Sequence, residues 1–348
     1  MSDASLDSNA PALSLADAPD FEDLLRAAAT YHGLLPTLVV KDYWVTRVLR
    51  AVAGDPALAG RVLFKGGTSL SKGWHLIDRF SEDIDLLLTG SDFWPMPGSR
   101  GARERQFKEV RARIEADTPL RLPDQATLSR EAWNFYYLRS DKHCNLRYPL
   151  PGRQVTPRGP SADWLLVEAG YRGGVRPHAQ RTLSSLVAEF VATQPAARAE
   201  LEAYPADLAP FQMDLLKPER TFAEKLLALH VDMVSGVEGA RRVRTRHYYD
   251  VAQLFARSED VRASIASGEF RNLLREAVIV SNTHWGTAID PQTLDLRASP
   301  ALGPSADQAR VLASQYESPA ERALYHREWV PFTEIVRQLH GIREALGG

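Results

Sequence analysis

Asp83 and Asp85 stand one residue apart in "SEDIDLLL", in a run that is otherwise apolar from Ile84 to Leu88. In an extended strand alternate side chains share a face, so the two carboxylates point the same way, with Cα atoms roughly 6.5 Å apart. Ile84 and Leu86 then turn toward the core. Two carboxylates at that spacing repel one another, and burial raises the cost of their charge. A bound cation relieves both. Mg2+ suits the pair, with Mn2+ as the alternative, because a hard cation takes oxygen ligands and sits on one or two carboxylates plus substrate phosphates. A D-x-D at a solvated strand end would need no metal, and the motif alone is weakly specific. The apolar continuation and the residues upstream shift the balance toward the metal.

Upstream lies "RVLFKGGTSLSKG". It reads as a short buried strand running into Gly66 and Gly67, which let backbone approach a ligand closely. Thr68 and Ser69 follow as possible caps of a short helix. Backbone N–H groups, hydroxyls and the positive end of a helix together suit an anion, although a tight strand-to-helix turn would look the same. Lys65 reaches phosphate in the first reading and is solvated in the second. Ser81, two residues before Asp83, shares its face by alternation and either bonds a phosphate or merely starts the strand. An anion cradle followed by a dicarboxylate strand supplies the parts that hold a nucleoside triphosphate and its metal.

Several elements must position these groups. Residues 1–18 are small, polar and acidic and read as a flexible tail. "FEDLLRAAATYHG" and "LPTLVVKDYWVTRVLRAVAG" are helices with glycine stops at Gly33 and Gly54. "GARERQFKEVRARIEA" is a charged helix; "EAWNFYYLRS", "NLRYPL" and "WLLVEAGYRGG" are strand candidates; and residues 149–163 form a proline- and glycine-rich loop. From Ser184 onward the texture is helical, including one stretch from Glu317 to Leu346. The pattern predicts an α+β fold, a mixed sheet with helices followed by a mostly helical C-terminal domain, with the boundary between residues 175 and 215.

The totals narrow the class. With 348 residues, 44% hydrophobic and 25% charged, the chain reads as globular, and a net charge of −2 gives no global field toward nucleic acid. Cys144 is the one cysteine, which excludes internal disulfides and cysteine-rich zinc sites and fits a reducing, cytoplasmic setting. The first 20 residues lack a signal-peptide pattern, and no apolar run approaches a membrane span, so no membrane partner is expected.

"KGGTSLSKGWHLIDRFSEDIDLLL" resembles the signature of the AbiEii-type nucleotidyltransferases, within the DNA polymerase β-like superfamily. That group includes toxins of type IV toxin–antitoxin and phage-defence systems and the related MenT toxins. Its later motifs are matched in order by "EKLLALH" and "RTRHYYDVAQL", and "KDYWVTRVL" and "VEAGYRGG" are also similar, so the resemblance runs from about residue 41 to 254. The position before Tyr248 is His247 here, where relatives often have lysine.

The resemblance implies a polymerase-β-like nucleotidyltransferase core over residues 19–180 and a helical domain over 181–348 that contributes Lys225 and Asp250. Gly66, Gly67, Thr68 and Ser69 would bind the triphosphate, with Lys65 and Ser81 beside them. Asp83 and Asp85 would hold the metal. Glu168, a lone acid in an apolar strand, would be the third carboxylate, or else pair with Arg172. Lys225 would meet the triphosphate or leaving pyrophosphate, although helical spacing with Leu226, Leu229 and Met233 puts it on a solvent face. Asp250 would be an active-site residue, or pair with Arg246 at i, i+4. Arg241, Arg242, Arg244 and Arg246 would touch RNA phosphates, or form a solvated face. The implied activity is NTP-dependent nucleotidyl transfer with release of pyrophosphate, to the 3′ end of tRNA, countered by a cognate antitoxin. The alternatives are a protein or small-molecule acceptor, or a non-catalytic nucleotide-binding protein.

Overall fold

The computed structural model describes residues 14–81, 83–90, 98–153, 155, 161–195, 203–325 and 329–347. Helices α1 (Phe21–His32) and α2 (Pro36–Ala53) lead into β1 (Val62–Lys65), α3 (Gly66–Lys72) and β2 (Ile84–Leu88). Next come α4 (Arg100–Asp117), α5 (Arg130–Tyr136), β3 (Tyr137–Arg139), β4 (His143–Pro149), β5 (Trp164–Gly170) and β6 (His178–Leu183). Two short helices, α6 (Leu186–Ala192) and α7 (Pro205–Leu208), precede β7 (Phe211–Leu216). The rest is helical: α8 (Pro218–Met233), α9 (Gly236–Arg242), α10 (Arg246–Arg257), α11 (Glu259–Ala266), α12 (Glu269–Trp285), α13 (Ala306–Tyr316), α14 (Pro319–Arg322) and α15 (Phe332–Ala345).

The seven strands form one mixed sheet in the order β3-β4-β5-β2-β1-β7-β6. β2 runs antiparallel to β1 and parallel to β5, so the dicarboxylate strand lies inside the sheet with a neighbour on each side. The α+β expectation holds.

Alternation along the strands divides two environments. Phe64, Ile84, Leu86, Val167 and Ala169 join the main core beneath α1, α2 and α4. Leu63, Leu87 and Leu216 make a small cluster on the opposite face. Lys65, Asp85 and Glu168 alternate with main-core residues and therefore lie on that second face. A second large core, built from α8, α10, α12 and α15, also takes in Leu70 and Ile77 from the α3 region. Leu86 is 1% exposed. Burying a leucine contributes roughly 1.5–3 kcal/mol, and a one-residue slip of β2 would forfeit this while turning the aspartates into the core.

Four expectations need correction. "EAWNFYY" is mostly helix α5 rather than strand, because Ser129 caps it by accepting from the Ala132 N–H. β6 and β7 were not anticipated, and they carry the sheet on to Leu216. The stretch from Glu317 is broken into α14 and α15, with Pro331 capping the second. Residues 14–18 are not tail: Leu15 is buried and its N–H donates to Asp207 Oδ2 at 2.8 Å. The tail expectation for residues 1–13, and much of the loop expected at 149–163, falls outside the described residues. Among the described residues no helix is long and apolar enough to cross a membrane.

Candidate active site

β1 runs straight into α3 through Gly66, whose φ of +78° is left-handed. A Cβ at Gly66 would lie 1.9 Å from Asp85 Oδ2, so the turn rests directly on the carboxylate. One at Gly67 would lie 2.7 Å from Ser81 Oγ and 2.8 Å from Arg79 Nη2. The two glycines thus let the backbone pass over three polar side chains. Thr68 and Ser69 are not caps; they sit within the first turn of α3. The Thr68 hydroxyl donates to the Asp83 carbonyl at 2.5 Å, and the Ser69 hydroxyl donates to the Gly66 carbonyl at 2.9 Å. The first bond ties the glycine turn to the start of the dicarboxylate strand.

Substituting Gly66 with alanine is expected to act twice. The left-handed conformation costs a non-glycine residue about 1–2 kcal/mol. The added methyl would also displace the Asp85 carboxylate, and a misplacement of about 1 Å can cost about 100-fold in rate. A lower denaturation midpoint, with activity down by more than stability accounts for, is the expected result; unchanged activity in a folded variant would contradict it.

Asp85 stands in register with Lys65 on β1 and with Glu168 on β5. Burial pushes the Asp85 carboxyl up to about 6; Lys65 and Lys225 pull it down and the Glu168 carboxyl raises it. Asp83 lies one residue before β2 and, like Asp85, keeps partial exposure while Ile84 between them has none. Among the described residues no group of three or more His, Cys, Asp or Glu side chains is gathered to hold a metal unaided. The donor set still fits a hard divalent cation completed by phosphate oxygens, because an added positive charge relieves the Asp85–Glu168 crowding. Glu168 is not committed to Arg172, whose guanidinium lies 5.7 Å from the Trp285 ring.

Lys225 enters from α8 and Asp250 from α10. The Lys225 Nζ is 2.8 Å from Asp250 Oδ2, with side-chain exposures of 11% and 0%. Lys225 is therefore no surface lysine. Asp250 does not rely on Arg246: Arg79 grips it with two donors, Nε to Oδ1 and Nη2 to Oδ2, each at 2.7 Å. Although burial opposes ionisation, Arg79 and Lys225 hold Asp250 well below the usual carboxylate range. Burial lowers Lys225, against the pull of Asp250 and Asp85. Burial and Lys225 push His247 well down, so this imidazole is neutral at pH 7 and does not supply the charge a lysine would.

Arg79 is the residue that sequence reading missed. It is 2% exposed and links the glycine turn to α10, and a short bridge to Tyr325 ties the same segment to the C-terminal region. The available signal was an arginine four residues before Asp83, between the glycine turn and the dicarboxylate strand.

The remaining expected residues are placed as follows. Lys65 Nζ donates to the Arg172 carbonyl at 3.0 Å and lies 3.8 Å from Glu224 Oε2. Glu224 also accepts from Arg220 at 3.0 Å, so it is no free surface acid. Arg241, Arg242 and Arg244 are exposed at the end of α9 and just beyond, and Arg241 pairs with Glu238 at 2.6 Å. Arg242 and Arg244 act on Asp232 near the end of α8. Arg246 is half-buried at the start of α10.

The fold thus brings a glycine turn, adjacent carboxyls and a buried lysine together. No curated protein sequence matches the chain. A solved structure with some likeness is MenT4, a nucleotidyltransferase toxin of Mycobacterium tuberculosis H37Rv, at 17% identity and a TM-score of 0.42, covering 93% of this chain and 98% of that one. The family profile described as nucleotidyl transferase AbiEii toxin, type IV toxin–antitoxin system, matches residues 47–332. The chain belongs to the AbiEii nucleotidyltransferase toxin family.

Proposed function

We propose that this protein transfers a nucleotide from a nucleoside triphosphate to an acceptor hydroxyl, releasing pyrophosphate, and that the acceptor is the 3′ end of tRNA. The observation that carries the reaction is Asp85 in register with Glu168 and directly beneath Gly66. The tRNA acceptor, the cytoplasmic setting and a cognate antitoxin rest on family membership alone.

Asp83 and Asp85 would hold Mg2+, which when bound would neutralise phosphate charge and polarise the α-phosphate. The first turn of α3 and Ser81 would receive the triphosphate oxygens. Glu168 would accept the proton of the attacking hydroxyl. The acceptor oxygen bonds to the α-phosphorus as the bond to the bridging oxygen breaks, and pyrophosphate departs with that electron pair. Lys225 would offset the charge developing on the leaving group, with Asp250 and Arg79 fixing its position.

Protons and cation compete for Asp85. Below about 6 its carboxyl is held protonated, so cation affinity should fall as pH falls, about tenfold per unit, and level off above pH 7. Calorimetric titration of Mg2+ or Mn2+ from pH 5 to 8 measures this, and an affinity that did not change with pH would contradict it. To test the acceptor, α-labelled nucleotides are incubated with total tRNA or with protein extract. Label in tRNA supports the proposal; label in protein alone would overturn the acceptor.

A further inference from the structure

A cavity of about 440 Å3 opens between β1, the 172–173 loop, α8 and α12. Its size lies in the range of ligand pockets. Leu227, Val231 and Ala277 supply apolar wall, and Trp285 closes one side. Trp285 is 56% exposed, at the last position of α12 before Gly286 turns the chain away in a left-handed conformation. Its ring is backed by the Arg172 guanidinium at 5.7 Å. Arg172 Nε is itself buried without a hydrogen-bond partner.

Lys65, the register partner of Asp85, lines the cavity together with Glu224 and so relates it to the carboxylates already described. Apolar walls do not suit a phosphate chain. An exposed indole backed by arginine suits a flat uncharged ring, since every base offers a π-face to an aromatic side chain. Asp232 and Thr287 at the lining offer polar atoms to a ring edge.

We infer that this cavity seats a nucleobase, stacked on Trp285, of a nucleotide whose phosphate is handled at Asp83 and Asp85. The inference rests on the proposed nucleotidyl transfer and adds where a base lies. That base belongs either to the donor triphosphate or to the end of the acceptor strand.

Equilibrium binding to the full chain distinguishes the two. The probes are a nucleoside triphosphate, inorganic tripolyphosphate and a short single-stranded oligoribonucleotide, with wild type, Trp285→Ala, Trp285→Phe and Ala228→Trp. Ala228 lines the cavity from an exposed position on α8, so tryptophan there fills the space without entering the core. If the donor base sits here, Trp285→Ala and Ala228→Trp weaken triphosphate binding about tenfold. Tripolyphosphate binding stays unchanged, and Trp285→Phe retains most affinity. If the acceptor base sits here, the oligoribonucleotide shows that pattern instead. Unchanged affinity for both base-bearing probes, equal losses with tripolyphosphate, or a folded wild type that binds neither base-bearing probe would each overturn the pocket. A wild type that binds nucleotide through Trp285 but labels no acceptor would keep the pocket and overturn the transferase reading.

Discussion

Replacing Asp250 with alanine is expected to destabilise the protein by about 3–5 kcal/mol, the cost of removing one member of a buried ion pair and leaving the other uncompensated. The side chain is fully buried and satisfies two cations at once, Arg79 through two hydrogen bonds and Lys225 through a 2.8 Å ion pair. Arg79, 2% exposed, cannot turn to water without opening the packing around Tyr249 and Tyr325. Chemical denaturation of wild type and Asp250→Ala measures the loss. Lys225→Met provides the contrast: it removes the less buried cation and leaves Asp250 gripped by Arg79. Its stability should change by less than half as much, while transfer activity falls sharply. A stable Asp250→Ala, or a Lys225→Met as unstable as Asp250→Ala, would show that the charge network has been misread.

Asp85→Asn should do the reverse. The side chain keeps its shape and loses the charge that a cation needs. Transfer is expected to fall by about 1000-fold or more, since removing even one preorganised electrostatic group costs about 100- to 1000-fold. Stability should hold or rise, because the carboxyl is desolvated and crowded by Glu168. Activity and denaturation measured on the same preparation separate this from misfolding, and activity within tenfold of wild type would contradict the role.

The contrast between these two aspartates shows what a sequence can disclose. β1, β2 and β5 were legible because each is an apolar run ended by glycine or a turn, and β2 broke its run with acids at period two. β6 was not, because Gln180, Arg181 and Thr182 occupy an edge strand with exposed side chains. β7 pairs with β1 inside the sheet yet offers only "FQMDLL" between two prolines, too short to tell from a helix segment. Helical spacing assigned Lys225 to solvent; family resemblance placed it at the site, and the structure buries it. Asp250 was within reach for the same reason, but its main partner was not. Arg79 lies 171 residues away, and periodicity carries no information across that separation. Arg246, four residues away, was the local inference, and tertiary packing overrode it. Trp285 drew no notice because an aromatic near a helix end reads as core, and only its exposure marks it out.

Nucleotidyl transfer at Asp83 and Asp85 underlies every role proposed for the site. Its most direct test incubates the protein with Mg2+, total tRNA and a nucleoside triphosphate labelled either at the α- or at the γ-phosphate, with Asp85→Asn in parallel. α-Label is expected to move to the acceptor with one pyrophosphate released per label, γ-label to leave with the pyrophosphate, and Asp85→Asn to transfer neither. Label moving from the γ-position would make the reaction a phosphoryl transfer, and α-label moving undiminished in Asp85→Asn would place the chemistry elsewhere.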